Sequence, residues 1–214
     1  MPPTTEAAQA SPPVPRLRFT ELYRSFGRLS VLRNVAGAAT TGEILLVTGA
    51  NGSGKSTLLK CLAGLLAPDR GRVELSLDGR ELSIDEIRRA VGYAAPDLAF
   101  YEELTTEENL LFFARLRRLA PDRVAELLEH VGLPTDRAAG ALSSGMRQRL
   151  RWCWALLHRP PVLLLDEPFQ NLDEPGRQAG TELLVDHLRH GLAVVANPGR
   201  LDLPYVTHHL ELAG

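Results

Sequence analysis

Residues 43–66 read "EILLVTGANGSGKSTLLKCLAGLL". An apolar run, Ile44 to Val47, meets a glycine-rich turn and then a helical pattern of leucines. Gly49, Gly54, Lys55 and Ser56 fit G-x-x-x-x-G-K-[ST], with a strand before the turn and a helix after it. The chemistry explains the residue types. Glycines let the backbone curl until its N–H groups face phosphate oxygens, and the helix N-terminus adds a positive dipole. Lys55 has the length to reach β- and γ-phosphates, and the Ser56 hydroxyl can join a Mg²⁺ shell. Gly49, Asn51, Gly52, Ser53, Gly54, Lys55, Ser56 and Thr57 are therefore the candidate phosphate-binding residues.

Such a loop needs a carboxylate at the end of a neighbouring parallel strand. "VLLLDEPFQNLDEPG", residues 162–176, supplies one: four apolar residues run straight into Asp166 and Glu167. Asp166 is placed to orient Mg²⁺ and its waters. Glu167, one residue on, is placed as general base toward water attacking a γ-phosphate.

The runs "ILLV", "VLLLD" and "LAVVA" do not alternate, as expected for strands buried on both faces of a parallel sheet. Strands are expected at 16–22, 43–48, 72–77, 90–94, 162–166, 192–196 and 206–212. "RVELSLDGREL" alternates Val73, Leu75 and Leu77 before Asp78-Gly79, the pattern of an antiparallel strand and turn. Thr105 to Glu108 form a capping box ahead of one helix, Pro121 opens a second that fades at Gly132, and a third follows Ser143. Its apolar stripe is Met146, Leu150, Cys153, Trp154 and Leu157, which leaves Arg147, Arg149 and Arg151 as a solvated face. The proline-rich residues 1–15 read as a disordered tail.

Composition excludes other classes. Net charge is −2, with 44% hydrophobic and 23% charged residues, so bulk binding to nucleic acid or an anionic bilayer is not expected. No apolar run approaches the roughly 18 residues of a membrane span, and no signal peptide is expected. Cys61 and Cys153 read as buried thiols in a reducing compartment.

With these motifs in order, residues 16–214 resemble the nucleotide-binding subunits of ATP-binding-cassette (ABC) transporters. "LSSGMRQRL" at 142–150 is similar to the family's L-S-G-G-Q signature, and "NLD" at 171–173 to its D-loop. The resemblance implies an α/β P-loop NTPase with a mainly parallel core sheet, an antiparallel β part and an inserted helical subdomain at about 97–142. It implies that Ser143, Ser144 and Gly145 meet the γ-phosphate held by a second subunit, with Asp173 at the dimer seam and Phe26 stacked on adenine. Two chains, a homodimer or a pair with a paralogous subunit, would then sandwich two ATP with Mg²⁺. They would drive separate transmembrane permease subunits from the cytoplasmic face of the membrane. A narrower likeness is to compact exporter ATPases, including those of haem export for cytochrome c maturation.

Three departures qualify this. Ser144 and Met146 stand where Gly and Gln are usual in the signature. Pro96, with Asp97 beside it, occupies the place of a Gln that touches Mg²⁺; Asp97 can supply an oxygen there, and Pro-Asp equally reads as the start of a turn. The strand at 192–196 runs into Asn197-Pro198 where the family has a His that contacts the γ-phosphate. Asn197 can donate a hydrogen bond but carries no proton in catalysis. His208 and His209 read as part of a later strand. The alternatives to a transporter ATPase are a nucleotide-gated regulatory module with little turnover and a soluble cassette ATPase.

Overall fold

The computed structural model describes residues 13–213. Residues 1–12, most of the expected tail, lie outside that range, and Pro15 already belongs to the first strand. In chain order come strands β1 (Pro15–Phe26), β2 (Leu29–Thr40) and β3 (Ile44–Thr48), then helix α1 (Lys55–Leu62). Next are β4 (Arg70–Leu77), β5 (Arg80–Glu81), α2 (Ile84–Ala90) and β6 (Val91–Ala94). Helices α3 (Thr106–Leu116), α4 (Asp122–His130) and α5 (Ser144–Leu156) follow. The chain ends with β7 (Val162–Asp166), α6 (Glu174–Leu188), β8 (Leu192–Asn197) and β9 (Val206–Glu211).

Two sheets result. The larger runs β6-β7-β8-β3-β9, with every pairing parallel, and the smaller runs β2-β1-β4-β5, with every pairing antiparallel. Strands β3 and β7 are buried at every residue, which is why their sequences do not alternate. Leu45, Val47, Leu164 and Val194 pack with α1 and the antiparallel sheet. Leu46, Leu163, Leu165 and Val195 pack on the other face with residues of α3 to α6. The parallel sheet is thus the shared wall of two cores.

Local signals hold where they were strong. Thr105 caps α3 through the Glu108 amide while the Glu108 carboxylate accepts from Thr105 N–H at 2.8 Å. Cys61 and Cys153 are buried and unpaired, and burial pushes their thiols up to about 11 and about 12. Strand β2 and helix α2 are absent from the expected elements. β1 also runs on to Phe26, past register shifts and a left-handed Glu21 at φ 51°. "LSVLRNVAGAAT" is rich in small residues of low strand propensity, and Gly37 there lies under the Phe19 ring.

α5 docks on β6 at Gly92. A Cβ on Gly92 would stand 2.2 Å from the Ala155 carbonyl oxygen and 2.7 Å from the Pro160 ring. Gly92→Ala is expected to cost about 1–3 kcal/mol through this overpacking. That reads as a fall of roughly 2–4 °C in thermal midpoint per kcal/mol. Gly199→Ala, with nothing within 4 Å, is the control and should melt like wild type.

Candidate nucleotide site

The site lies where β3, β7 and β8 end together. Ala196 is level with both Val47 and Asp166, so the phosphate loop and the Asp166-Glu167 pair leave the sheet at one edge. Two glycines make the loop possible. A Cβ on Gly49 would meet Ser53 Oγ at 2.5 Å and the Leu212 carbonyl at 2.6 Å. Gly54, the residue before α1, sits at φ 100° with Val31 Cγ1 2.8 Å from where a Cβ would be. Lys55 is 5% exposed, and its Nζ donates to Gly49 O at 2.7 Å and Ala50 O at 3.0 Å. The ammonium therefore lies across the loop.

Asp166 is 3% exposed. Burial raises its pKa, the Ser56 hydroxyl hydrogen-bonded to it opposes that shift, and the Glu167 charge adds to it. Glu167 follows in a left-handed conformation, φ 50°, with its N–H donated to Ala196 O at 2.8 Å. A non-glycine residue there carries backbone strain, a feature that gathers at functional sites.

A cleft of about 350 Å³ is lined by Lys55, Ser56, Thr57 and Glu167 and also by Phe26 and Val31. Asn51, Gly52 and Gly54 line it too. Phe26 is half exposed, and Arg24 covers its ring with the guanidinium 4.9 Å from the centroid. Arg24 is itself held by Asp69 at 2.8 Å, and Asp69 also accepts Ser25 N–H at 2.7 Å. Val31 is a lining residue the sequence reading missed, because β2 was missed.

The structure separates the other expected residues from this cleft. Ser143 caps α5, its Oγ accepting from Met146 N–H at 3.2 Å, and is exposed. Gly145 lies against the Asn171 carbonyl, which a Cβ would approach to 2.7 Å. Asp173 caps α6 and pairs with Arg149, whose hydrogen bond holds its carboxyl below the usual range. Ser143, Ser144, Gly145 and Asp173 do not line the cleft of their own chain. Asp97, expected as a metal oxygen, is 64% exposed and paired with Lys60 at 2.8 Å. Asn197 is level with Thr48 but donates its amide to Gly199 O at 2.8 Å, and it does not line the cleft. His208 faces Glu43 at 3.4 Å, and His209 Nε2 meets Thr48 Oγ1 at 2.7 Å; neither lines the cleft.

The arginines of α5 are a correction. Each of Arg147, Arg149 and Arg151 is part-buried. Arg149 reaches Val131 O and Asp173, and Arg151 reaches Gln148 Oε1 and Pro96 O. Sequence periodicity gave them a helix face but not the loops that cover it.

The donor set fits a phosphate with a hard cation. Ser53 Oγ is buried inside the loop and has no hydrogen-bond partner within the protein. Ser56 and Asp166 offer two oxygens. Mg²⁺ is commonly held by one or two protein oxygens, with waters and substrate phosphates completing its shell. Among the described residues no group of three or more His, Cys, Asp and Glu is placed to hold a metal. No helix among them is long and apolar enough to cross a membrane.

Comparison with known proteins agrees with this geometry. The family described as "ABC transporter" matches residues 32–170. The chain is 35% identical over 204 residues to the sulfate/thiosulfate import ATP-binding protein of Synechococcus elongatus, covering 92% of this chain and 56% of that one. It spans about half the length of the curated relatives it matches. Among solved structures it is similar to an ATP-binding subunit of an ABC transporter, with a TM-score of 0.75, 30% identity and 85% and 79% of the two chains covered. It is similar also to a dimeric bacterial ABC transporter cassette, with a TM-score of 0.73, 25% identity and 84% and 87% covered.

The ionised Asp166 carries a stability cost that can be measured. Its raised pKa means the folded chain favours the protonated form, so that contribution is present at low pH and lost as pH rises through the folded pKa. At neutral pH Asp166→Asn should therefore raise the thermal midpoint of the ligand-free protein. A midpoint unchanged or lowered at pH 7 would contradict the burial argument.

Proposed function

The chain belongs to the ABC transporter family, and from that membership we propose that it binds and hydrolyses Mg-ATP to drive separate permease subunits. The observation that carries the reading is that Lys55, Ser56 and Glu167 line one cleft together with Phe26 and Val31, while the buried Asp166 is hydrogen-bonded to the Ser56 hydroxyl. Residues 16–214 are then the ATPase domain, with about 97–142 as its helical insertion. The loop amides from Gly49 to Gly54 and the Lys55 ammonium bind the phosphates, and Phe26 with Val31 packs the adenine. Ser56 and Asp166 would hold Mg²⁺, which would supply positive charge against the phosphates. Glu167 orients the attacking water and takes its proton.

Ser143, Ser144, Gly145 and Asp173 are set apart from their own cleft, which suits them to a nucleotide held by a second subunit. That subunit is a second copy of this chain or a paralogue, and the pair acts on the cytoplasmic face of the membrane beside its permease. Nucleic acid is not a partner in this reading. The dimeric cassette among the similar structures supports the pairing.

Two variants test the core of this. Lys55→Ala should abolish tight Mg-ATP binding in a calorimetric titration; near-normal affinity overturns the assignment. Glu167→Gln should keep nucleotide bound, slow phosphate release by about 10²–10⁴, and hold two chains together in light scattering. Monomer alone at high protein concentration removes the homodimer and leaves the paralogous pair.

Asn197 sets the expected speed. An amide engaged with Gly199 cannot replace an imidazole in moving a proton, so turnover is slow in this reading. With its amide turned to Gly199 and away from the cleft, Asn197→Ala should change steady-state phosphate release by far less than the roughly 10²–10³ that losing a transition-state donor costs. A wild type as inert as Glu167→Gln favours the nucleotide-gated regulatory module instead.

A further inference from the structure

One face of α5 is spent on the loop that follows Glu167. Gly145 lies under the Asn171 carbonyl, Arg149 pairs with Asp173, and Trp152 Nε1 donates to Pro168 O at 2.9 Å. Gln148, 4% exposed, donates its Nε2 to the same Pro168 carbonyl at 3.0 Å. These residues stand at i, i+3, i+4 and i+7, a single helical stripe. The Pro168 oxygen, one residue beyond the strained Glu167, thus takes two side-chain donors from one rigid element.

Gln148 also faces the other way. Its Oε1 accepts from Arg151 Nη1 at 3.0 Å, and Arg151 Nη2 donates to Pro96 O at 2.6 Å. Continuous hydrogen bonds therefore run from the Pro96 carbonyl through Arg151 and Gln148 to the Pro168 carbonyl. Pro96 has no amide donor and no side chain able to reach across, so Arg151 is what ties it to α5. Arg151 and Pro96 also border a pocket of about 200 Å³ together with Leu98, Phe100 and Arg147. A displacement of Pro96 therefore pulls on the Arg151 guanidinium, which is hydrogen-bonded to its carbonyl.

We propose that Gln148 and Arg151 act as one positioning bridge, which holds Glu167 in its left-handed conformation and makes that conformation depend on where the Pro96–Phe100 segment sits. Neither residue lines the cleft, so neither is a catalytic residue. Arg151 contributes through Gln148, and Gln148 through Pro168. The kinetic consequence rests on the hydrolysis reading above; the mechanical coupling does not.

The test uses the full chain with Gln148→Met, Arg151→Met, Arg151→Lys and the Gln148→Met/Arg151→Met double variant. Hydrogen exchange over 166–173 is measured without nucleotide. Arg151→Met should accelerate exchange of the Glu167 amide about as much as Gln148→Met, although Arg151 touches that loop only through Gln148. Exchange that rises at 96–100 but not at 166–173 in Arg151→Met overturns the bridge. In steady-state phosphate release each single Met variant should lower kcat about tenfold, with KM for Mg-ATP within about twofold. The double variant should be no worse than either single one, as for residues acting as a unit, and Arg151→Lys should recover part of the loss. Multiplying losses, or a kcat within twofold of wild type in both singles, overturn it. A wild type that binds Mg-ATP and releases no phosphate sinks the hydrolysis reading instead, and the exchange measurement still decides the bridge.

Discussion

The register of three parallel strands fixes everything else at the site. Val47, Ala196 and Asp166 stand level across β3, β8 and β7, so the phosphate loop and the carboxylate pair leave the sheet at the same height. Side chains alternate faces, and the residues level with Asp166 belong to the core that packs on α1. The Asp166 carboxylate therefore turns toward Ser56 at the start of α1. A one-residue slip of β7 would send it into the opposite core, among apolar side chains from α3 to α6. Leu163, Leu164 and Leu165 are buried on both faces and would exchange like for like, so the cost of that unpartnered carboxylate is what forbids the slip.

Much of this was legible because the strongest signals are backbone demands. Gly49 and Gly54 are needed where a Cβ would strike Ser53, Leu212 or Val31, and a carboxylate after four apolar residues reads as a strand end that the phosphate loop in the same sequence gives a partner. Parallel strands announce themselves by failing to alternate. β2 was not legible, since Ala36, Gly37, Ala38 and Ala39 carry no strand signature of their own and only Gly37 is explained by a neighbour, the Phe19 ring on β1. α2 did have a signal that went unread: Ser83 and Glu86 form a capping box, with Ser83 N–H donating to the Glu86 carboxylate at 2.8 Å. The arginines of α5 failed for a different reason. Periodicity gives a face, and only tertiary structure says that loops 96–100 and 167–173 lie on it.

The departures from the family pattern find physical company in the fold. Pro96 removes a polar side chain, and its carbonyl instead receives Arg151. Asp97 pairs with Lys60 of α1, so the segment is pinned on two sides by charged groups rather than by one amide. Asn197 is likewise engaged, closing its own turn on Gly199. Each position keeps its place in the backbone while its hydrogen bonding is redirected to the surrounding structure.

That redirection concentrates the costs of the fold at one sheet edge. Asp166 is buried with its ionised form disfavoured, Ser53 Oγ is left without a partner in the protein, and Glu167 holds a conformation that non-glycine residues avoid. Groups so arranged gain most from a ligand that supplies the missing partners, because a ligand that binds the folded state alone stabilises it by an amount that grows with the logarithm of its concentration above Kd. In the proposed reading the phosphates answer Ser53 and Lys55, and a cation answers Asp166. Glu167 is left as the one strained group that such a ligand does not relax directly. Its conformation must then be held from within the protein, by Ala196 on the sheet side and by Gln148 and Trp152 on the helix side. In the proposed reading, a base that depends on α5 for its posture is one that a displacement of α5 would engage or withdraw.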